Sequence, residues 1–165
     1  MSGKVVVSMG SLNPPHKGHL GLFDEILKDN EKFHLFVRYN EGIDLAGRDV
    51  KAKWFERISA DRDNRIIVHI FSMEDMKGKN YSPHIFANAI HYFESILGEP
   101  IDEIWAGEDA TPLLEGMDKE FPNLRFVITK RNGFNSTAIR NNLEGHKDWL
   151  PDFVYEDLVR IMKGE

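Results

Sequence analysis

Gly10-Ser11-Leu12-Asn13-Pro14-Pro15-His16-Lys17-Gly18-His19 is the stretch whose reading decides the fold. The apolar run Val5-Val6-Val7 precedes it, and Leu20, Phe23, Ile26 and Leu27 follow at helical spacing. It therefore reads as the loop between a buried strand and a helix. Such a junction favours anions, because the first N–H groups of a helix lack intrahelical partners and the macrodipole is positive there. Gly10 allows close backbone approach, and Pro14-Pro15 stiffens the entry to the helix. With the helix beginning near Lys17, His16 and His19 project from neighbouring positions of its first turn. Each imidazole, neutral or protonated, can donate a hydrogen bond to a phosphoryl oxygen. The alternative is a turn histidine and a half-exposed helix histidine with no common task.

Strand and helix patterns alternate along the rest of the chain. Residues 4–9 form the buried strand and 18–29 the first helix. Phe33, Leu35 and Val37 alternate with His34, Phe36 and Arg38 in a second strand, 33–39. Val50, Trp54, Phe55 and Ile58 recur at helical spacing over 49–61, with Lys51 and Lys53 on a solvated face, and 65–71 is a third strand. A polar loop over 72–81 is longer than a minimal connection, as loops holding the variable half of a site often are. Asn80 or Ser82 caps the next helix, with Pro83 near its start and Ile85, Ala89, Phe93 and Leu97 as its buried stripe. Residues 101–106 and 124–129 are the fourth and fifth strands, with a short helix around Leu113, Leu114 and Met117 between them. The alternation predicts an α/β fold, a Rossmann-like doubly wound sheet of about five parallel strands with helices on both faces. Ligands of such sheets bind at the carboxyl ends of the strands.

A second strand-to-helix junction follows the fifth strand. Lys130 and Arg131 stand at its end, Asn132-Gly133 forms a turn, and Asn135 or Ser136 caps a helix carrying Thr137 and Arg140. Free N–H groups and two hydroxyls there form a second phosphate site.

The chain has 165 residues, 41% of them apolar and 29% charged, which suits one domain over 1–165 with the helix 151–163 packed on it. Its apolar runs are too short to span a membrane, and no signal segment is expected at the N-terminus. There is no cysteine, which removes disulfides and thiol chemistry and fits a cytoplasmic setting. The net charge of −6 argues against nucleic-acid binding. His34, His69, His84, His91 and His146 form no H-x-x-x-H or H-E-x-x-H pair, so no protein-built metal site is expected.

The pattern G-x-x-[DN]-P-x-H-x-G-H after a first buried strand resembles the signature of the nucleotidylyltransferase superfamily. Gly10, Asn13, Pro14, His16, Gly18 and His19 match it, and Leu12 stands where Phe is commoner. Asn135-Ser136-Thr137-Ala138-Ile139-Arg140 is similar to its second signature, I-S-S-T-x-I-R, with Asn135 replacing a serine. Trp149-Leu150-Pro151-Asp152-Phe153-Val154 resembles an element of the members that make NAD. Together with Phe134, Tyr81 and Gly47-Arg48, it looks most like the adenylyltransferase domain of the bifunctional nicotinamide-mononucleotide adenylyltransferase/ribosylnicotinamide kinases. The sequence stops after that domain, so no kinase activity is expected.

The resemblance implies transfer of AMP from ATP to nicotinamide mononucleotide (NMN), giving NAD and pyrophosphate. It implies His16 and His19 on the α- and β-phosphates, Arg140, Ser136 and Thr137 on the β- and γ-phosphates, and Mg²⁺ held mainly by phosphate oxygens. Gly10, Ser11, Asn13, Gly18, Gly107 and Asn135 would border the nucleotide. Glu108 and Asp109 would lie near the nucleoside or form a solvated helix start, and Lys130 and Arg131 would hold triphosphate or be solvated. For the acceptor, Arg48 is a candidate phosphate contact or an exposed loop arginine. Tyr81, Trp105 or Trp54 are candidate stacking partners, or core. A different acceptor (nicotinate mononucleotide, phosphopantetheine or a polyol phosphate, with ATP or CTP), a non-catalytic nucleotide-binding module and an assembly scaffold are the alternatives. Related enzymes are commonly homo-oligomers, and nothing in this sequence separates a subunit contact from a core face.

Overall fold

The structure, a computed structural model, describes residues 4–77, 85–130 and 133–164, the side chains of Ile85 and Asp109 excepted. Its centre is a parallel sheet of β1 (Val6–Gly10), β2 (Phe33–Arg38), β3 (Ile66–Phe71), β4 (Glu103–Gly107) and β5 (Arg125–Thr129), in the order β3-β2-β1-β4-β5. The helices are α1 (Lys17–Asp29), α2 (Arg48–Ala60), α3 (Ile85–Leu97), α4 (Met117–Glu120), α5 (Ser136–Asn141) and α6 (Asp152–Met162), with 3-10 turns at Glu108–Leu114 and Glu144–Trp149. The expected Rossmann-like doubly wound sheet is what the chain forms. The cap expected at Asn80 or Ser82 with Pro83 lies outside the described residues.

Alternation along the strands divides the core in two. Val6, Phe33, Leu35 and Val37 face one layer with Phe23 and Ile26 of α1, Trp54, Phe55 and Ile58 of α2, Ile139 of α5, and Val154 and Leu158 of α6. Val5, Val7, Phe36 and Ile104 face the other, with Phe86, Ile90 and Phe93 of α3 and Met117 of α4. Successive side chains of a strand point to opposite faces, so strands buried on both sides read as nearly continuous apolar runs. A polar contact ties α6 to α2: Trp54 Nε1 donates to Asp157 Oδ2 at 2.8 Å. Trp54 is thus core and not a ligand platform.

The order of the strands sets the site. The chain moves outward from β1 to β2 to β3, then returns through α3 to the far side of β1 and continues to β4 and β5. The connections after β1 and β4 therefore diverge, which opens a crevice at the carboxyl ends of these two neighbouring strands. Among the described residues no helix is long and apolar enough to cross a membrane.

Phe36 and Phe93 stack at 4.0 Å with both side chains fully buried. Phe93→Ala should cost about 3–5 kcal/mol, since little around the ring can collapse into the space. Urea unfolding of the variant measures it, and a loss below about 1 kcal/mol would mean that this layer is loosely packed.

Candidate active site

The loop after β1 is held by contacts to three other parts of the chain. Lys51 of α2 is buried, and its ammonium donates to Ser11 O at 2.5 Å, Arg38 O at 3.0 Å and Asp44 Oδ2 at 2.7 Å. The expectation of a solvated face at Lys51 is therefore corrected: the residue lies one helical turn before Phe55 and two before Ile58, on the buried stripe. Three donors meet three acceptors, which is what makes a buried ammonium tolerable. Burial pulls the Lys51 pKa down, and the bond and charge of Asp44 oppose that pull. Asn13 Oδ1 accepts from Leu45 N at 2.9 Å, Asn13 O from Arg140 Nη1 at 2.7 Å, and Pro14 O from Ser136 Oγ at 3.1 Å. Leu12 adopts a left-handed φ of 47° with its side chain in the core, a conformation costly to a residue with a branched side chain.

His16 is the N-cap of α1, and its Nδ1 accepts from Gly18 N at 3.1 Å and His19 N at 3.4 Å. His19 Nδ1 in turn accepts from His16 N at 3.1 Å. This is a capping box in which imidazole nitrogens replace the usual hydroxyl and carboxylate. The first N–H groups of α1, expected to be free for phosphate, are thus partly taken by the histidine itself. Because each Nδ1 accepts from a backbone N–H, each neutral ring carries its proton on Nε2. The rings stack at 3.7 Å. Burial lowers the pKa of His16 from 6.5 to about 4. His19 falls well below its usual value through burial first, then the charges of His16 and Lys51. Both rings are therefore neutral donors at physiological pH.

Two clefts meet at the tips of β1 and β4, and the histidine pair lines one of them. The first, about 720 Å³, is lined by Ser8, His16, Gly18, His19, Trp105, Thr129, Phe134 and the start of α5 from Asn135 to Ala138. Asn135 caps α5 by accepting from Ala138 N at 2.7 Å, and Phe134 lies 5.9 Å from the His16 ring, nearly parallel to it. The second, about 680 Å³, is lined by Gly10, Ser11, Arg38, Phe71, Met73, Met76, Phe86, Ala89, Phe93 and Leu113, among others. Met9, Ala106 and Gly107, at the tips of β1 and β4, border both.

The two junctions expected to bind phosphate thus come together, and His16, His19, Gly18, Gly107, Asn135, Ser136 and Thr137 share the first cleft. Gly10 and Ser11, expected beside the nucleotide, border the second. Asn13 is buried and bonded to Leu45, so it acts as a strut of the loop. Trp105, expected at the acceptor, lies in the wall of the first cleft, with its indole N–H donating to buried Glu103 at 2.6 Å. Arg140 ties α5 to the first loop and bonds Thr137 Oγ1 at 3.1 Å. Arg48 lines neither cleft; it donates to Ile70 O and pairs with Asp75 at 3.3 Å. Glu108 begins the 3-10 turn after β4, and Lys130 follows β5. Tyr81, Arg131 and the side chain of Asp109 lie outside the described residues. The sequence reading missed Arg38 and the Lys51–Asp44 pair. A charged residue ending a strand, and a lysine in register with an apolar stripe, were the signals.

No family model and no curated protein matches the sequence. Solved structures do share the fold. One is the NadR protein in complex with NR, with a TM-score of 0.64 and 18% identity, covering 93% of this chain and 46% of that one. Another is a bifunctional NMN adenylyltransferase/ADP ribose pyrophosphatase from Francisella tularensis, with a TM-score of 0.68 and 12% identity, covering 97% and 50% respectively. The chain spans about half the length of each.

An NMR titration of the imidazoles should find His16 neutral until the pH nears about 4, with His19 titrating lower than an ordinary histidine. Protonation of His16 near 6.5 would show that its ring is not held as described. The unfolded chain takes up these protons at a higher pH than the folded one. Stability contributed by the pair is therefore present above about pH 6.5 and is lost as the pH falls below it.

Lys51→Met should cost about 3–5 kcal/mol in urea unfolding, because it strands a buried carboxylate. Adding Asp44→Asn should recover part of that loss, and a purely additive double variant would deny the coupling.

Proposed function

We propose that this chain is an adenylyltransferase that joins AMP from ATP to NMN, yielding NAD and pyrophosphate. The carrying observation is the meeting of two clefts at the tips of β1 and β4, with the neutral histidine pair in the wall of one of them. The first cleft has polar donors converging from two strand-to-helix junctions, as a nucleoside triphosphate requires. The second has aromatic and thioether walls suited to a planar ring. The motif resemblance and the fold shared with an NMN adenylyltransferase support the same reading.

In this reading ATP lies in the first cleft with its α-phosphate toward the shared rim, and the acceptor enters from the second. An oxygen of the acceptor phosphate attacks the α-phosphorus in line. The new P–O–P link forms as the bond between the α-phosphorus and the bridging oxygen breaks, and pyrophosphate leaves with that electron pair. The acceptor phosphate is already anionic, so no protein base or nucleophile is required. Catalysis consists of alignment and charge stabilisation. His16 and His19 Nε2–H groups donate to phosphoryl oxygens that gain charge, and their neutrality leaves the donors fixed by the backbone bonds at Nδ1. Ser136, Thr137 and Arg140 hold the outgoing phosphates. Mg²⁺ carried on phosphate oxygens and water would neutralise phosphate charge beside Ser136 and Thr137.

Pyrophosphate release from ATP and Mg²⁺ with NMN, with NAD identified as product, tests the assignment. His19→Ala should reduce kcat by about 10² or more, the scale of removing one transition-state donor, with the folded state checked by its unfolding curve. Nucleotide binding without turnover of any phosphate acceptor would overturn the enzyme reading in favour of a binding module.

A further inference from the structure

The second cleft has a wall that is apolar except at one end. Phe71, Met73, Met76, Phe86, Phe93 and Leu113 supply the apolar part. At the end nearest the strand tips, Ser11 and Arg38 supply the polar part, and Arg38 is the one charged side chain among the described residues lining this cleft. Arg38 Nη2 donates to Ser11 Oγ at 3.2 Å, so the guanidinium is already turned toward the loop that carries the histidine pair. The same Lys51 ammonium that holds Ser11 O also holds Arg38 O, which fixes the two backbones relative to each other from beneath. The Arg38 side chain itself is exposed and available to a ligand.

We propose that Arg38, with Ser11, is the anchor for the acceptor's phosphate and the residue by which this site selects a phosphorylated acceptor. The inference rests on the adenylyltransferase reading in one respect: the attacking phosphate must reach the shared rim of Met9, Ala106 and Gly107 while the rest of the acceptor lies along the apolar wall. The planar guanidinium can grip two phosphate oxygens in parallel and leave the third free to attack. A hydroxyl beside it adds a donor. No carboxylate among the described lining residues competes for the guanidinium, whereas Arg48, the other arginine near this edge, is paired with Asp75. The ligand class is a phosphomonoester with an apolar or planar body.

The test combines kinetics with binding for the wild type, R38A and R38K. Pyrophosphate release is measured with ATP and Mg²⁺ against NMN, nicotinate mononucleotide, phosphopantetheine and glycerol 3-phosphate. Calorimetry measures NMN against its dephosphorylated form, nicotinamide riboside. R38A should raise the acceptor KM about ten- to hundredfold, the scale of a lost charge-assisted pair, and leave the KM for ATP within about twofold. It should also abolish the preference for NMN over the riboside, with R38K restoring part of it. Among the described residues the exposed side chain makes one hydrogen bond, to Ser11 Oγ, and two variants at the site guard against a folding defect. If the wild type makes NAD but R38A keeps the wild-type KM and preference, the anchor is overturned and the proposed reaction stands. If the wild type uses a different phosphate from the panel and depends equally on Arg38, the anchor stands and the NAD reading falls. Equal binding of NMN by wild type and R38A without turnover of any acceptor overturns both.

Discussion

A single buried ammonium ties the site together. Lys51 Nζ reaches the carbonyl of Ser11 beyond β1, the carbonyl of Arg38 at the end of β2, and the carboxylate of Asp44 in the following loop. Strand tips otherwise diverge, because a twisted parallel sheet splays its ends and their last carbonyls have no ladder partner. Placing one cation among those carbonyls satisfies them and sets the spacing of the two loops. A hydrophobic replacement would take this donor from two carbonyls and leave the buried carboxylate with the Asn40 N–H but no compensating charge, which is far more costly than the burial of the lysine itself.

The histidine pair follows from that arrangement. Its loop is fixed from below by Lys51, from the side by Leu45 N–H on Asn13, and from α5 by Ser136 and Arg140. With the backbone so held, the two Nδ1 atoms close a capping box and the rings stack. Burial keeps the His16 ring neutral, and burial, then the charges of His16 and Lys51, do the same for His19. A neutral donor interacts less strongly with phosphate than an imidazolium does. Its advantage is a defined tautomer, so the donor direction is set before a ligand arrives.

Much of the architecture was legible because its causes are local. Alternation at Phe33, Leu35 and Val37 marked β2, and spacing at Trp54, Phe55 and Ile58 marked α2. The order of strands and helices then required a parallel sheet. The first cleft was legible in part, since both of its loops sit at strand-to-helix junctions whose cap residues are read from neighbouring positions. Lys51 was misread although it is in register with Phe55 and Ile58: charge pointed outward, while the acceptors that make burial tolerable come from residues 7 to 40 positions away. Trp105 was read as a stacking candidate or core because it ends an apolar strand near the crevice; strand alternation carries it into the wall of the first cleft, with its indole N–H on buried Glu103.

The amino-acid sequence by itself determined the order of elements, the two phosphate-type junctions and the histidine pair on the first turn of α1. Backbone sterics, apolar periodicity and capping act over a few residues, and each leaves a pattern within a short window. The tertiary structure alone decided that the crevice divides into two clefts, that Ser11 faces Arg38, and that α5 is pinned to the first loop. Those contacts join positions 27 to 127 residues apart. Distances in space across a sheet depend on strand order and register, and no local pattern encodes them.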